Sequence, residues 1–367
     1  MKNSKKILIV TSEFPPQPGG IGNHAYNLAR EMALNQYTVT VLSDYRSKNY
    51  DDENRFINNQ IFEIYRIKRR KLIVITYLER LFIYLKLLKQ NDVIFASGKF
   101  SLWMVGLFQP FRNKKTIAIV HGTELNFKDL KKKLIDLSLK RFEHIIAVSD
   151  FTKSLINRDL IDKVTVIPNG FEKIISTQYK PKTKEIHSYP QIITIGNVSF
   201  RKGQQNLIQA LPEIINKYPH IHYHIVGLPT ETQQMKKISD QLDVSNHITF
   251  YGRVSDNRKY ELLNQSDVFV MLSSETKSGD VEGFGIAILE ANQLGLPAIG
   301  SINCGIESAI SDGYSGRLIN PKDSSHIIQA IDEIIDDYDK YSLNAAQWSE
   351  NFTWDKILLE YLNVINK

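Results

Sequence analysis

The stretch from Gly279 to Pro297, Gly-Asp-Val-Glu-Gly-Phe-Gly-Ile-Ala-Ile-Leu-Glu-Ala-Asn-Gln-Leu-Gly-Leu-Pro, joins a glycine-broken loop to a helix with almost no polar side. From Ile286 the spacing predicts a helix carrying Ile, Ala and Leu around most of its circumference until Gly295 and Pro297 stop it. Such a helix belongs inside a larger structure. Its first turn offers unpaired N–H groups and a partial positive charge, and Gly283 and Gly285 let a ligand approach the backbone with no Cβ in the way. A phosphate suits that place. Glu282 stands in the loop just before the helix, and Glu290 about one and a half turns into it. A buried carboxylate must accept hydrogen bonds, and the vicinal diol of a ribose donates two. Taken singly, Glu282 also reads as a solvated loop charge and Glu290 as a dipole-stabilised helix residue.

At 367 residues the chain is long for one core and suits two α/β domains. A hydrophobic content of 42% with 23% charged residues excludes a disordered chain. Cys304 is the only cysteine, so no intramolecular disulfide forms, which fits a reducing compartment. The basic start is followed by too few apolar residues for a signal peptide and reads as a first strand. No apolar run approaches the roughly 20 residues of a transmembrane helix. The expectation is a cytoplasmic chain, soluble or peripheral on the inner face of the cell membrane.

The net charge of +6 conceals an asymmetry. Residues 1 to 180 hold 30 Lys and Arg against 17 Asp and Glu, or +13, and the remainder carries −7. A basic half suits nucleic acid, an anionic membrane face or a phosphorylated substrate. No helix-turn-helix, zinc finger or aromatic RNA-binding motif accompanies it, so nucleic acid is not expected.

In the first half, Ile7 to Ser12 reads as a buried strand, followed by Phe14-Pro-Pro-Gln-Pro-Gly-Gly-Ile-Gly22 and an amphipathic stretch from Asn23 to Leu34. Strand, glycine loop and helix is a phosphate-cradling order, although this loop lacks the dinucleotide fingerprint and a plain structural turn fits as well. Further strands are expected at Tyr37 to Leu42, Ile61 to Ile67, Val93 to Ala96, Thr116 to Val120 and Ile145 to Val148. Strands alternating with helices predict parallel, doubly wound sheets whose ligands collect at the strands' carboxyl ends. His121-Gly122-Thr123-Glu124 occupies one such end. Ser149 or Asp150 reads as a helix N-cap and Pro168-Asn-Gly as a turn. From Tyr65 to Gln90, Lys68-Arg-Arg-Lys71 precedes a broad apolar and aromatic face mixed with Arg80, Lys86 and Lys89. This is the profile of a helix in an anionic membrane interface, and equally of a helix packed on the sheet with a solvated basic rim. Lys128 and Lys131 to Lys133 form a second basic cluster.

Residues 171 to 189 lack periodicity and read as a linker. A second set of strands and helices opens at Gln191 to Gly196, and Gly196-Asn-Val-Ser-Phe-Arg201-Lys202-Gly203 leads into a helix reaching about Lys217. Two adjacent cations at a helix start suit a diphosphate, Arg201 as a fork and Lys202 as a point charge. His222 and His224 share one face of a strand but have no third ligand at a suitable spacing, so a half-buried strand is expected there rather than a metal pair.

Glu282-Gly-Phe-Gly-Ile-Ala-Ile-Leu-Glu290-Ala resembles the signature of the retaining nucleotide-sugar glycosyltransferases of group 1, which use two facing Rossmann-like domains, the GT-B architecture. The resemblance extends over essentially the whole chain. It implies an α/β fold of two such domains, each a parallel sheet flanked by helices. One spans residues 1–172, with a terminal helix at 350–367 crossing back to pack on it, and the other, binding the nucleotide sugar, spans 185–349. It further implies a catalytic set of His121, Glu282, Arg201 and Lys202, and donor contacts at Gly20, Gly22, Gly196, Arg253, Gly283, Phe284, Gly285, Ile286 and Glu290. Many relatives carry an Arg where this chain has Asn197, which gives Arg201 and Lys202 more weight, and Cys304 stands where relatives often have glycine. The implied reaction moves a hexose-type sugar from a UDP- or GDP-linked donor to an acceptor hydroxyl with retention, with interdomain closure excluding water. No cofactor and no metal are expected, because no Asp-x-Asp motif suits the site. The basic first half favours a lipid-linked saccharide as acceptor, with peripheral contact to an anionic membrane through residues 65–90. A GT-B epimerase and a non-catalytic nucleotide-sugar-binding protein are the alternatives.

Overall fold

The computed structural model describes residues 5–47, 49–109, 114–126, 129–174, 190–277 and 279–366. Lys128 and most of the expected linker, 175–189, lie outside them. The chain forms two compact units, one of Met1–Gly170 together with Trp354–Lys367, the other of Phe171–Thr353.

The first unit is built on a seven-stranded sheet, formed in chain order by β1 (Lys6–Thr11), β2 (Thr38–Asp44), β3 (Glu63–Ile67), β4 (Val93–Ser97), β5 (Lys115–Val120), β6 (His144–Ala147) and β7 (Val164–Val166). Their spatial order is β3-β2-β1-β4-β5-β6-β7, and every neighbouring pair is parallel. Strands buried on both faces must be apolar along their whole length, and Ile-Leu-Ile-Val in β1 and Ile-Ala-Ile-Val in β5 are. The helix Gly20–Leu34 follows β1, as the glycine loop predicted, and Ser149 caps the helix Asp150–Ser154 by accepting from the Thr152 N–H. β7 was not expected, being only three residues long.

The helix Trp354–Asn366 belongs to this unit. Tyr361 is buried and its hydroxyl lies 2.9 Å from His24 Nε2, while Lys5 Nζ donates to the Ile365 carbonyl. Trp354 lies flat against Gly170, where a Cβ would overlap the indole. The preceding residues Glu350–Phe352 form a 3-10 turn that stays with the second unit, the Phe171 N–H donating to the Phe352 carbonyl.

The expected run Tyr65 to Gln90 resolves into the end of β3 and the helix Ile73–Gln90. Arg80, expected on a solvated rim, is instead buried: its Nε donates to Asp44 Oδ1 at 3.0 Å and its Nη2 pairs with Oδ2 at the end of β2. A guanidinium matches a carboxylate at two points, which is how a buried arginine is tolerated here.

The second unit holds a six-stranded parallel sheet of β8 (Gln191–Ile195), β9 (His222–Val226), β10 (Ile248–Gly252), β11 (Val268–Met271), β12 (Ala298–Ser301) and β13 (Gly316–Ile319), ordered β10-β9-β8-β11-β12-β13. Its core joins Ile192, Leu211, Tyr223, Val270, Ile299 and Ile331 from both sheet and helices. His222 and His224 hydrogen-bond to Thr249, Tyr251 and Gln191, as residues of a half-buried strand, and no group of three metal-ligating side chains occurs among the described residues.

Candidate functional site

In a doubly wound sheet the crevice for ligands opens where the strand order reverses, outside the carboxyl ends of the two strands that flank the reversal. In the second unit those strands are β8 and β11. The loop after β8 carries Gly196, Arg201 and Lys202, and the segment after β11 carries Glu282 to Ile286. Sequence neighbours do not explain their meeting; the sheet order does.

The meeting is close. Arg201 Nη1 lies 2.5 Å from Glu282 Oε2 and Lys202 Nζ lies 2.7 Å from the same oxygen. Arg201 and Lys202 occupy a 3-10 turn, Phe200–Lys202, ended by Gly203 at φ 79°, a left-handed value that suits glycine. A Cβ there would also overlap the Leu272 carbonyl just past β11, so glycine is required twice. The Ser274 N–H donates to the Arg201 carbonyl and ties the two segments together. Glu282 is thus no solvated loop charge. Burial alone would push its carboxyl up, but the Lys202 ammonium and the Arg201 guanidinium hold it down, to about 2.

The helix Ile286–Asn292 begins where the sequence predicts, with Gly285 as N-cap at φ 96° and no side-chain cap. Its first-turn amides are therefore unclaimed by a capping side chain. Phe284 is buried against Phe352, so it offers a ligand its backbone rather than its ring. Glu290 is half-buried and pairs with Lys259 Nζ at 3.2 Å. Burial lowers the Lys259 affinity for a proton, and the Glu290 charge more than offsets it, holding the ammonium above the ordinary lysine range. Lys259 escaped the sequence reading because Asp-Asn-Arg-Lys-Tyr-Glu looks like a solvated helix face; its partner 31 residues away gives it away only in three dimensions. Arg253 is exposed just beyond β10.

Gly305 fixes how near the loop after β12 comes to this cluster. Its N–H donates to the Glu282 carbonyl at 2.8 Å, and a Cβ would overlap the Gly283 carbonyl. Gly305→Ala is expected to lower stability by about 1–3 kcal/mol, read as a shift of the urea midpoint with unchanged slope. The neighbouring Cys304 is buried and its thiol is pushed up to about 12 by that burial, so it is inert at neutral pH.

The first unit has its own reversal between β1 and β4. Gly20 and Gly22 lie in the first turn of the helix after β1; Gly22 sits so close to the Glu13 and Phe14 backbone that a Cβ would press on it. His121 follows β5, its Nε2 2.9 Å from Ser97 Oγ at the end of β4. Burial pushes the His121 imidazole down to about 4, so it is neutral at pH 7. Two residues that sequence reasoning passed over hold it. Ser97 sets the ring, and the Glu124 carboxylate accepts from the His121 N–H at 2.6 Å, an acid three residues after the histidine being the available signal.

Comparison with known proteins gives the family and the fold. The model of the family described as glycosyl transferases group 1 matches residues 176–351, and that described as Glycosyltransferase Family 4 matches residues 18–173. The chain belongs to the group 1 glycosyltransferases. Among curated relatives, a GDP-mannose-dependent monoacylated alpha-(1-6)-phosphatidylinositol monomannoside mannosyltransferase of Corynebacterium glutamicum is 23% identical over 92% of this chain and 90% of its own. An uncharacterized glycosyltransferase of Methanocaldococcus jannaschii is 25% identical over 98% and 97%. Of solved structures, Anabaena HepE in complex with UDP and glucose aligns at a TM-score of 0.79 with 18% identity, over 99% of each chain. Sucrose-phosphate synthase of Thermosynechococcus elongatus aligns at 0.82 with 18% identity, over 99% and 98%. The fold of this glycosyltransferase is accordingly GT-B.

Proposed function

We propose that this glycosyltransferase moves a hexose-type sugar from a UDP- or GDP-linked donor to a hydroxyl of a lipid-linked saccharide, with retention at the anomeric carbon and without a metal. The observation that carries the reading is the convergence of Arg201, Lys202 and Glu282 on the reversal point of the second sheet. As the bond to the donor diphosphate breaks, negative charge builds on the leaving oxygens, and fixed cations and N–H groups stabilise it without having to reorganise. Arg201, Lys202 and the amides of Gly283 to Ile286 take that part. Gly196 gives the donor close access beside Lys202, and Glu282 accepts from the sugar hydroxyls. Glu290 accepts from the ribose diol, and Arg253 borders the base. In the first unit, Gly20 and Gly22 leave room for the substrates and the neutral His121 imidazole hydrogen-bonds the sugar. Arg201 and Lys202 supply positive charge to the diphosphate in the place of a divalent ion. The enzyme works in the cytoplasm, peripheral to a membrane that presents the acceptor and that it meets through residues 65–90.

Incubation with a panel of radiolabelled nucleotide sugars, with and without membrane extract and with EDTA, tests this reading. Label carried into an extractable lipid, insensitive to EDTA and with the donor's anomeric configuration by NMR, is the expected outcome. A changed nucleotide sugar would mean an epimerase, and bound but unaltered donor a sensor. Glu290→Ala is expected to weaken donor binding about tenfold in calorimetry, since a hydrogen bond to a charged group is worth roughly 1.5–3 kcal/mol. Unchanged affinity would remove the ribose assignment.

A further inference from the structure

The first half of the helix Ile73–Gln90 turns apolar residues outward, unlike its second half, which packs on the core. Its inward line is Thr76, Arg80, Tyr84, Leu87 and Leu88, headed by a hydroxyl and a guanidinium, while Val74, Leu78 and Phe82, at the i, i+4, i+8 spacing of one face, point outward. Leu78 is 62% exposed and Phe82 72%. Leu72 just before the helix and Ile73 and Ile75 in its first turn extend the patch, all exposed. Successive residues turn by about 100°, so Leu78 and Phe82 each lie roughly 160° from Arg80. The Arg80–Asp44 pair therefore fixes which way the helix is rolled: Tyr84, Leu87 and Leu88 enter the core further along, while Val74, Leu78 and Phe82 stand in solvent. The same roll gives Arg80 a ring to lie over, the Phe100 centroid being 4.1 Å from its guanidinium carbon, and Tyr77 stacks on that ring at 4.8 Å. These contacts hold the helix from below and leave the outer face without a partner in the described residues.

An apolar face of this breadth is costly in water and marks a surface that something covers. The charge around it says what. Lys68, Arg69, Arg70 and Lys71 lead directly into the patch, and Lys86 and Lys89 follow it. Asp44 is held by Arg80 with Arg69 3.7 Å away, and Glu79 lies 3.2 Å from Arg70, which leaves Lys68 and Lys71 outside these ion pairs. Cations beside exposed Leu, Ile, Val and Phe, with neighbouring acids already paired, match an anionic lipid surface: side chains enter the acyl boundary while lysines and arginines stay among the headgroups. No helix among the described residues is long and apolar enough to cross a membrane, so the contact is from one side.

We propose that the outward face of Leu72 to Phe82 is a membrane-docking surface for anionic lipid, with insertion by Val74, Leu78 and Phe82 and electrostatic capture by Lys68 and Lys71. It specifies the membrane contact in the functional reading given above, and rests on that reading for its purpose but not for its physics.

Flotation of the full chain with phosphatidylcholine vesicles, with and without about a third of phosphatidylglycerol, tests it. Binding is expected to the anionic vesicles, to fall steeply with salt, and to drop about tenfold or more in Leu78→Ser/Phe82→Ser. Lys68→Ala/Lys71→Ala is expected to abolish the preference for anionic lipid. These residues are exposed, so both variants should keep the wild-type Tm and UDP or GDP affinity in calorimetry. Failure of the wild type to float while it binds nucleotide overturns the docking surface and leaves the transferase reading standing; flotation without nucleotide binding does the reverse. A wild-type dimer in sedimentation velocity that the Ser pair makes monomeric, with no flotation, assigns the face to a second copy and also overturns the proposal.

Discussion

Lys202→Met is expected to lower the rate of sugar transfer by about two to three orders of magnitude while changing donor affinity far less. Lys202 Nζ sits 2.7 Å from Glu282 at the carboxyl end of the sheet, where a leaving diphosphate would acquire charge, and a fixed cation matters most as that charge appears. Methionine keeps the stem that packs beside Gly196 and removes only the charge. The fold should survive, because Arg201 still pairs with Glu282 and no buried carboxylate is orphaned. Single-turnover kinetics at saturating donor reads the effect directly. A kcat within about threefold of wild type would show that Lys202 orders the loop and does not stabilise the leaving group.

Glu282→Gln should separate two properties that usually fall together. In the structure the Glu282 carboxylate occupies the cations that a diphosphate would use, so it competes with the ligand while, in the proposed reaction, it holds the sugar. Neutralising it is expected to tighten binding of free UDP or GDP about tenfold and to slow transfer by at least as much. Calorimetry with the nucleotide and steady-state kinetics with the donor give the two numbers. If both affinity and rate decline, the carboxylate is a support for the loop alone. The substitution also carries a pH signature. The folded carboxyl is held down to about 2, so its stabilisation is present above the ordinary carboxylate range and is lost as the pH falls through about 2. The Gln variant should lose less stability than wild type between pH 5 and pH 2.

The parts of the site that the sequence reveals are those carried by a few adjacent residues. Gly283 and Gly285 around the start of an apolar helix, and Arg201-Lys202-Gly203 after a strand, are local patterns, and the structure places both where the patterns put them. The contact between them is not local. Arg201 and Glu282 are 81 residues apart and meet only because β11 pairs with β8 after an excursion through β9 and β10, an order that periodicity does not encode. The same reason hid Lys259 behind Glu290. Arg80 shows a different limit: among Arg, Lys and aromatic residues its type predicts an exposed rim, and only the Asp44 carboxylate at the end of β2 explains its burial. The short strands β7, β11, β12 and β13, of three or four residues, give alternation or a continuous apolar run little room to stand out from a helix fragment, although β6, of four, did so.

The return of Trp354–Asn366 to the first unit has a consequence for synthesis. A chain made from its amino end finishes every strand of the first sheet by Val166, yet the groove that receives Tyr361 beside His24 stays unfilled until Trp354–Asn366 has left the ribosome. The second unit, contiguous from Phe171 to Thr353, is complete before then. The earlier-born half is thus the later to mature, and it waits with an apolar groove uncovered, a stage at which nascent chains are open to aggregation and to chaperone capture.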